Sequence, residues 1–330
     1  RTDLATDWMP HVFVSVHHNW ADNTSARGVE VFYNTPYSQR LAKYVCDELY
    51  EAYRDMPNGS GARNRGDKFS EFAVNRPKQF ASILVEYGGK NILVDAGASP
   101  LFAANMEKLG LDMAAVDYAV LSHAHYDHAN GMIRFFQGNN RAKFYVQQAA
   151  REDCYGKRLC FRRYIGMPRG VLTDYADRIV QVSGKYELLP GAYLLSHTTP
   201  GLAAIGARER MYRRTAQGWR PDDFAHEQSL VLETDKGLVI INSCSHGGAV
   251  NIIREVREAF PDRPVYGIIG GFHLYNKKPA EVRAVARELE ATGVSYVCTG
   301  HCTRERACDI LEQELGDKLH RLRCGLTMTF

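Results

Sequence analysis

The chain is 330 residues long, with 45% apolar and 24% charged residues and a formal net charge of +3 at pH 7. That apolar share is enough for one large core or two, and the nearly balanced charge gives no reason to expect a nucleic-acid or membrane partner. No apolar run is long enough to span a bilayer. Eight cysteines without a framework spacing favour reduced thiols, and therefore a cytosol-like compartment.

The first 80 residues contain a strand-like run and a helix-like run. Residues 12–16, Val-Phe-Val-Ser-Val, predict a strand that ends at His17. Pro36 opens a predicted helix whose apolar face repeats every four residues, at Leu41, Val45 and Leu49.

From residue 82 onward, strands and helices alternate as in an α/β domain. The predicted strands are residues 83–85, 92–94, 116–121, 143–146, 187–195, 228–232, 237–242, 265–269 and 294–297. The first two should form a hairpin across Gly88-Gly89. Four helices are predicted: one capped by Ser99 and ending before Gly110, one with Ile252, Val256 and Phe260 inward, one from Pro279 to Gly293, and one with Ile310 and Leu311 inward.

Directly after strand 116–121 comes a dense cluster of imidazoles and a carboxylate, His-Ala-His-Tyr-Asp-His. Side chains alternate along an extended chain, so His123 and His125 face the same side and can share one metal ion. Asp127 and His128 lie where the chain turns, and can reach a second metal. Imidazole and carboxylate are the ligands of zinc, iron or manganese in catalytic sites. We therefore expect two divalent metal ions here, with zinc favoured.

Three later strands end in the same way, with small residues around one histidine and a helix afterwards. Because α/β sites form at strand ends, we expect these histidines to complete the first cluster. They are His246, His273 and His301.

Residues 151–170 are basic and aromatic and have the composition of a loop. If this segment overhangs the metal ions, its arginine forks and ring would meet an anionic or ring-bearing substrate. The candidate substrate residues are Arg158, Arg162, Arg163 and Tyr164. A solvated charged loop is the equal alternative.

The histidine cluster, with Asp95-Ala96-Gly97 ahead of it, resembles the signature of the metallo-β-lactamase-fold hydrolases. The resemblance covers about residues 82–330 and implies an αββα sandwich. The Gly-Gly-Phe-His-Leu and Thr-Gly-His-Cys-Thr stretches narrow it to the branch that includes 7,8-dihydropterin-6-yl-methyl-4-(β-D-ribofuranosyl)aminobenzene-5′-phosphate synthase.

This resemblance implies a division of ligands between two metal ions. One ion is expected on His123, His125 and His246, and the other on Asp127, His128 and His301. Asp95 would orient a ligand, and His273 and Cys244 are further candidates. Many members of this family carry a metal-bridging aspartate where this chain has Ser243-Cys244, and a histidine near the place of His226. His197 precedes the strand pair at which a ligand would be needed, so we leave it out.

Residues 1–88 resemble zinc-dependent N-acetylmuramoyl-L-alanine amidases, through the stretches Arg1-Thr2-Asp3, residues 12–19, 25–33 and 83–88. The resemblance implies that His17 was a zinc ligand and Glu86 the catalytic glutamate. The other ligands of that family lie upstream of its Arg-Thr-Asp segment, and a zinc site needs three. We therefore expect a truncated segment without amidase activity, in which His17 is equally well an ordinary strand-end histidine.

The combined prediction is an α/β chain with a partial amidase-like segment at 1–80 and a metallo-β-lactamase αββα domain at 81–330. Residues 12–16 or 29–32 would then replace the first strand of the second domain. The expected function is a dinuclear metallohydrolase that uses a metal-activated hydroxide on a small anionic substrate, phosphorylated or pterin-like. A peptidoglycan amidase and a metal-free binding protein are the alternatives. The expected location is cytoplasmic, or the cell envelope if a signal peptide preceded Arg1.

Overall fold

A computed structural model describes residues 28–33, 36–56, 61–69, 82–158 and 161–330. The chain divides into two compact units, Arg1–Gln79 and Phe80–Phe330. Among the described residues, no helix combines the length and the apolar content needed to cross a membrane.

The first unit contains strand β1 (Gly28–Tyr33), helix α1 (Pro36–Arg54) and strand β2 (Arg63–Phe69), and its two strands pair in parallel. The predicted apolar face of α1 is wrong. Leu41 and Leu49 are exposed, whereas Ala42 and Cys46, one position further round the helix, are buried. The small Cys46 side chain packs close to the sheet, with Sγ 3.3 Å from Asn64 Oδ1.

Residues 29–32, which were predicted to extend the second domain's sheet, lie in β1, and β1 pairs with β2. The alternative strand at residues 12–16, together with His17, lies outside the described residues.

The second unit is built from sixteen described strands and eight described helices. Its strands are β3 (Ile83–Tyr87), β4 (Lys90–Val94), β5 (Tyr118–Val120), β6 (Lys143–Gln147), β7 (Cys154–Arg158), β8 (Phe161–Tyr164), β9 (Ile179–Val182), β10 (Lys185–Leu189), β11 (Ala192–Ser196), β12 (Met211–Thr215), β13 (Gly218–Pro221), β14 (Gln228–Thr234), β15 (Gly237–Cys244), β16 (Val265–Gly271), β17 (Tyr296–Thr299) and β18 (Leu319–Arg321). Its helices are α2 (Leu101–Lys108), α3 (Tyr126–Ala129), α4 (Met132–Gly138), α5 (Val171–Asp174), α6 (Leu202–Arg208), α7 (Ala249–Ala259), α8 (Pro279–Ala291) and α9 (Glu305–Leu315).

Two large sheets stack face to face. One has the order β3-β4-β5-β6-β9 and the other β10-β11-β14-β15-β16-β17-β18. The core between them joins Ile92, Val94 and Val120 of the first sheet to Leu230 and Ile241 of the second. The hairpin predicted across Gly88-Gly89 is confirmed as the antiparallel β3–β4 pair.

Helices cover the outer face of both sheets. Phe102 of α2 and Phe135 of α4 pack with Phe144 on the outside of the five-stranded sheet. On the other side, α7, α8 and α9 pack Ile252, Val282 and their neighbours against the seven-stranded sheet. The predicted αββα sandwich is confirmed, and within each sheet the parallel strands deliver their carboxyl ends to one edge.

Two local predictions fail in this unit. Residues 187–195 form a hairpin, β10 and β11, because Pro190-Gly191 makes a turn. Residues 151–170 are not a loop either. They contain β7 and β8, which join β12 and β13 in a third, four-stranded antiparallel sheet with the order β13-β12-β7-β8.

Candidate metal centre

The carboxyl ends of β4, β5, β15, β16 and β17 bring the predicted histidines together. The ring centroids of His123 and His246 are 5.0 Å apart, those of His128 and His301 are 4.9 Å apart, and those of His246 and His273 are 4.4 Å apart. Residues from both sheets therefore meet at one edge of the sandwich, as expected for an α/β site.

The first group of donors consists of His123, His125 and His246, whose ligand atoms all lie within 4.8 Å of one another. All three side chains are buried. Within the described part of the chain, His123 Nε2 and both ring nitrogens of His246 have no hydrogen-bond partner. Phe224 stacks on the His246 ring at 4.4 Å and fixes its plane. Buried nitrogens without partners are costly, and a metal ion is the partner that such a set fits.

A hydrogen-bond chain from Asp95 determines which nitrogens carry protons. Asp95 is fully buried, and its Oδ2 lies 2.7 Å from His128 Nδ1 and accepts the Ser122 hydroxyl at 2.7 Å. The Ser122 Oγ is in turn 2.9 Å from His123 Nδ1. Both Nδ1 atoms therefore donate, and the Nε2 atoms of His123 and His128 keep their lone pairs for a ligand. One carboxylate thus sets the tautomer of two histidines.

The second group of donors consists of Asp127, His128 and His301. His128 Nε2 is 3.1 Å from His301 Nε2, and Asp127 Oδ2 is 3.7 Å from the former and 3.5 Å from the latter. The Asp127 side chain is 33% exposed, so this group opens to solvent. Burial alone would raise the pKa of Asp127, but His128 and His301 hold that pKa below its usual value. Two imidazoles and one ionised carboxylate suit a divalent ion with an open position.

Cys244 lies between the two groups. Its Sγ forms compact donor sets with His123 and His128, with His246 and His273, and with His301 and Cys302. It is 3.1 Å from Cys302 Sγ and 3.5 Å from His273 Nδ1. A thiol therefore stands where the family resemblance led us to look for a bridging aspartate.

His273 is held from its other side by Glu209, whose Oε2 is 3.8 Å from His273 Nε2. The nearby His273 ring, ahead of a hydrogen bond from Asn276, lowers the pKa of Glu209 to about 2 in spite of burial. The Glu209 carboxylate is therefore ionised at neutral pH and fixes the orientation of this ring.

Three residues that contact the centre had no predicted role, namely Cys154, Asp222 and His226. They form a fully buried donor set with His125. Asp222 Oδ2 is 3.4 Å from His125 Nε2 and 3.2 Å from His226 Nε2, and His226 Nδ1 accepts the Ala124 amide at 3.2 Å. Burial alone would lower the pKa of His125, but the hydrogen bond to Asp222 raises it to about 9.

His226 was noted only for its place in the chain. Cys154 is the first residue of β7 and Asp222 directly follows β13, and the sheet that contains these strands was not predicted. A sequence signal for Asp222 existed in its spacing of four residues from His226.

Several predicted site residues lie elsewhere. Glu86 is exposed on the edge strand β3, at the end of the hairpin away from Asp95. Arg162 and Arg163 are exposed on β8, and the Tyr164 hydroxyl donates to the Met167 carbonyl at 2.6 Å. Arg158 ends β7, and its side chain lies outside the described part.

His197, which we left out of the ligand set, has both ring nitrogens engaged. One is 2.6 Å from Glu255 Oε2 and the other is 2.7 Å from Ser229 Oγ.

Three residues of the centre have left-handed backbone conformations. The φ angles are +62° at Asp95, +53° at His273 and +52° at His301. Each follows the end of a strand, where the chain turns sharply and aims the side chain inward.

Comparisons with known proteins agree with this architecture. The family model described as the metallo-β-lactamase superfamily matches residues 76–255, and the model described as N-acetylmuramoyl-L-alanine amidase matches residues 1–90. The solved structure of Tm1679, a metal-dependent hydrolase of the β-lactamase superfamily, aligns with a TM-score of 0.62 at 28% identity. The alignment covers 72% of this chain and 88% of the Tm1679 chain.

Two curated relatives match different parts of the chain. The 7,8-dihydropterin-6-methyl-4-(β-D-ribofuranosyl)-aminobenzene-5′-phosphate synthase of Methanocaldococcus jannaschii is 27% identical over 269 residues, which are 75% of this chain and 88% of the relative. The N-acetylmuramoyl-L-alanine amidase LytC of Bacillus subtilis is 29% identical over 86 residues, which are 26% of this chain but 17% of LytC.

Both resemblances stated from the sequence are thus confirmed. The family model covers more than half of the chain, and the fold and the donor-rich strand ends accompany it. The chain belongs to the metallo-β-lactamase superfamily.

Proposed function

We propose that the protein is a dinuclear metallohydrolase. The observation that carries the proposal is the set of buried ring nitrogens without partners, on His123 and His246, beside the three converging donors Asp127, His128 and His301. In a metal-free binding protein these nitrogens would stay without partners, and each buried nitrogen without a partner lowers the stability of the fold.

The division of ligands follows from the two donor groups. His123, His125 and His246 would hold one ion, and Asp127, His128 and His301 the other. Cys244 is placed to contribute to both, and zinc is the ion that best suits the nitrogen and sulfur donors. When bound, two divalent ions polarise a phosphoryl or carbonyl oxygen and lower the pKa of a water molecule towards neutrality.

The protein's own carboxylates then orient the water molecule and the histidine ligands by accepting hydrogen bonds from them. Asp127 is ionised at neutral pH, so its exposed carboxylate accepts a hydrogen bond from the attacking water and aims it. Asp95 keeps His123 and His128 in the tautomer that presents Nε2. Asp222 accepts the hydrogen bond of the His125 Nε2–H, which leaves Nδ1 of that ring to bind an ion.

The proposed substrate is a small phosphorylated or pterin-like molecule. Support comes from the M. jannaschii relative, whose name describes a pterin-containing phosphate. Further support for this substrate comes from two residues beside the metal centre, Tyr275 and Lys277. The ring of Tyr275 is 49% exposed and 5.1 Å from the His273 ring, and the Lys277 Nζ lies 3.4 Å from Glu209. A ring and an ammonium group at the mouth of the site fit a flat anionic ligand.

The first test is metal content per purified chain by plasma mass spectrometry, for the native protein and the His125→Ala/Asp127→Ala variant. We expect about two ions per native chain, with loss from the variant and loss of hydrolysis in a screen of phosphoesters and pterins. The matched control is His320→Ala, an exposed histidine on β18, which should keep its metal. A folded native sample with no metal above background would refute the proposal.

A further inference from the structure

The four-stranded sheet formed by β13, β12, β7 and β8 has an unusual charge. Its strands contain seven basic residues and no acidic one. The basic residues are Lys157, Arg158, Arg162, Arg163, Arg213, Arg214 and Arg220. Positive charge is therefore concentrated in this sheet, although the net charge of the whole chain is only +3.

The strand register separates the two faces of this sheet. Tyr155 pairs with Tyr164 and Tyr212, Lys157 with Arg162, and Arg214 with Trp219. Because side chains alternate along a strand, these seven residues share one face, which we call the aromatic face. The opposite face carries Cys154, Arg163, Arg213 and Arg220.

On the aromatic face, guanidinium groups lie over rings. The Arg162 group is 4.4 Å from the ring centroid of Trp219, and the Arg214 group is 5.0 Å from the same centroid. Arg169, just beyond β8, lies 4.1 Å over Tyr164. Stacking of this kind holds Arg162 and Arg214 in place while their N–H edges can bind an anion. Arg169 also donates to the Tyr155 hydroxyl at 3.0 Å.

These cations lack acidic partners. In the described parts of the chain, neither Lys157, Arg162 nor Arg214 forms an ion pair with a carboxylate, whereas Arg213 on the opposite face pairs with Asp153 at 3.2 Å. Unpaired arginines stacked on aromatic rings combine the two features that proteins use to hold a phosphodiester chain and its bases.

The aromatic face is distinct from the metal centre. Cys154, which belongs to the donor set of His125, is on the opposite face from its neighbour Tyr155. A ligand on the aromatic face would therefore lie on the other side of this sheet from Cys154.

We propose that the aromatic face binds single-stranded nucleic acid. Backbone phosphates are neutralised by Lys157, Arg162 and Arg214, and bases stack on Trp219, on the tyrosines or on the outer planes of the guanidinium groups. A single strand is preferred to a duplex because only unpaired bases can stack on these groups. The cations lie on three adjacent strands, β12, β7 and β8, which suits a ligand that runs across the sheet.

The test is fluorescence anisotropy of a short labelled oligothymidylate with the full chain, as a function of salt. We expect binding at low salt that weakens as salt rises. The Arg162→Gln/Arg214→Gln variant should reduce the slope of log affinity against log salt by about 1.4, at about 0.7 for each lost phosphate contact. Trp219→Ala should weaken binding about tenfold or more.

The matched control is Arg163→Gln/Arg220→Gln, which removes the same charge from exposed positions on the opposite face. Circular dichroism checks that every variant is folded. Equal weakening by both double variants would show attraction to bulk charge and overturn the proposal, as would competition by a mononucleotide or a duplex as strong as by the unlabelled oligonucleotide. No binding at low salt would also overturn it. The metal content of all variants should stay unchanged, so this result is separable from the proposed hydrolysis.

Discussion

Replacing Asp95 with asparagine tests whether one carboxylate organises both donor groups. The backbone at this position has a φ of +62°, which asparagine adopts readily, so the substitution adds little strain. The new amide keeps one oxygen, which can still accept the Ser122 amide that Oδ1 accepts at 2.7 Å. Its NH₂ group cannot accept the protons of His128 Nδ1 and the Ser122 hydroxyl, as Oδ2 does.

The expected effect follows from these two lost acceptors. Each leaves a buried donor unsatisfied, at a cost of about 1–3 kcal/mol, so the free energy of unfolding of the metal-free protein should fall by about 2–6 kcal/mol. Metal affinity should fall by about 10–100-fold, as is typical when a group that orients a ligand is removed. Both ions should be affected, because the network reaches His123 as well as His128.

Chelator competition measures the two metal affinities, and urea unfolding of the chelated protein measures stability. The control is Asp117→Asn, a carboxylate that accepts the Asn91 amide and contacts no candidate ligand. If Asp95→Asn bound both ions as tightly as the native chain, the inference that Asp95 sets the histidine tautomers would be wrong. Weaker binding of only one ion would refute the link through Ser122.

Three further outcomes are expected. Asp222→Asn should weaken metal binding by about 10–100-fold, because it leaves the Nε2 proton of His125 without its acceptor; unchanged affinity in chelator competition would contradict this. The pKa of Glu209 is lowered to about 2 by the nearby His273 ring and by a hydrogen bond from Asn276, so the stability that it contributes is present above its unfolded pKa of about 4.5 and is lost as pH falls towards 2. Glu209→Gln should flatten the unfolding free energy of the metal-free protein over that acidic range, and a profile identical to the native one would refute the assignment. Phe144→Ala, in the core under α4, should lower the unfolding free energy by about 3–5 kcal/mol in urea titration, and a loss below 1 kcal/mol would show that this core is loosely packed.

The site residues could be predicted where a metal-ligating side chain directly follows a strand in the sequence. His123, His246 and His301 each come directly after an apolar run, and parallel strands bring such ends to one edge. Asp95 was singled out by the family resemblance of Asp95-Ala96-Gly97. Apolar periodicity and helix-end signals also predicted four of the eight described helices of this domain, because the apolar faces of these four are buried against a core. The glycines at the turn predicted the β3–β4 hairpin.

The rest depended on pairing between distant segments. β7 and β8 are stabilised by β12 and β13, which begin more than fifty residues later in the chain, and their strands are basic rather than apolar. A search for apolar alternation therefore finds a loop, and it misses Asp222 at the base of this sheet. In α1 a rotation of one position buries Ala42 and Cys46, because small side chains allow a closer approach than the leucines do.

The left-handed backbone at Asp95, His273 and His301 has a consequence for how this chain can change over time. Glycine adopts that conformation without strain, whereas a residue with a Cβ costs up to about 1–2 kcal/mol there, with aspartate and histidine tolerated better than most. At three positions the residue that serves the centre is therefore not the residue that folding would select. The burial of apolar side chains in the two cores on the outer faces of the sheets must offset the free energy that these three residues cost. Glycine at these places would relieve the backbone but remove the carboxylate or the imidazole, so at these three positions the demands of the backbone and of the metal centre oppose each other.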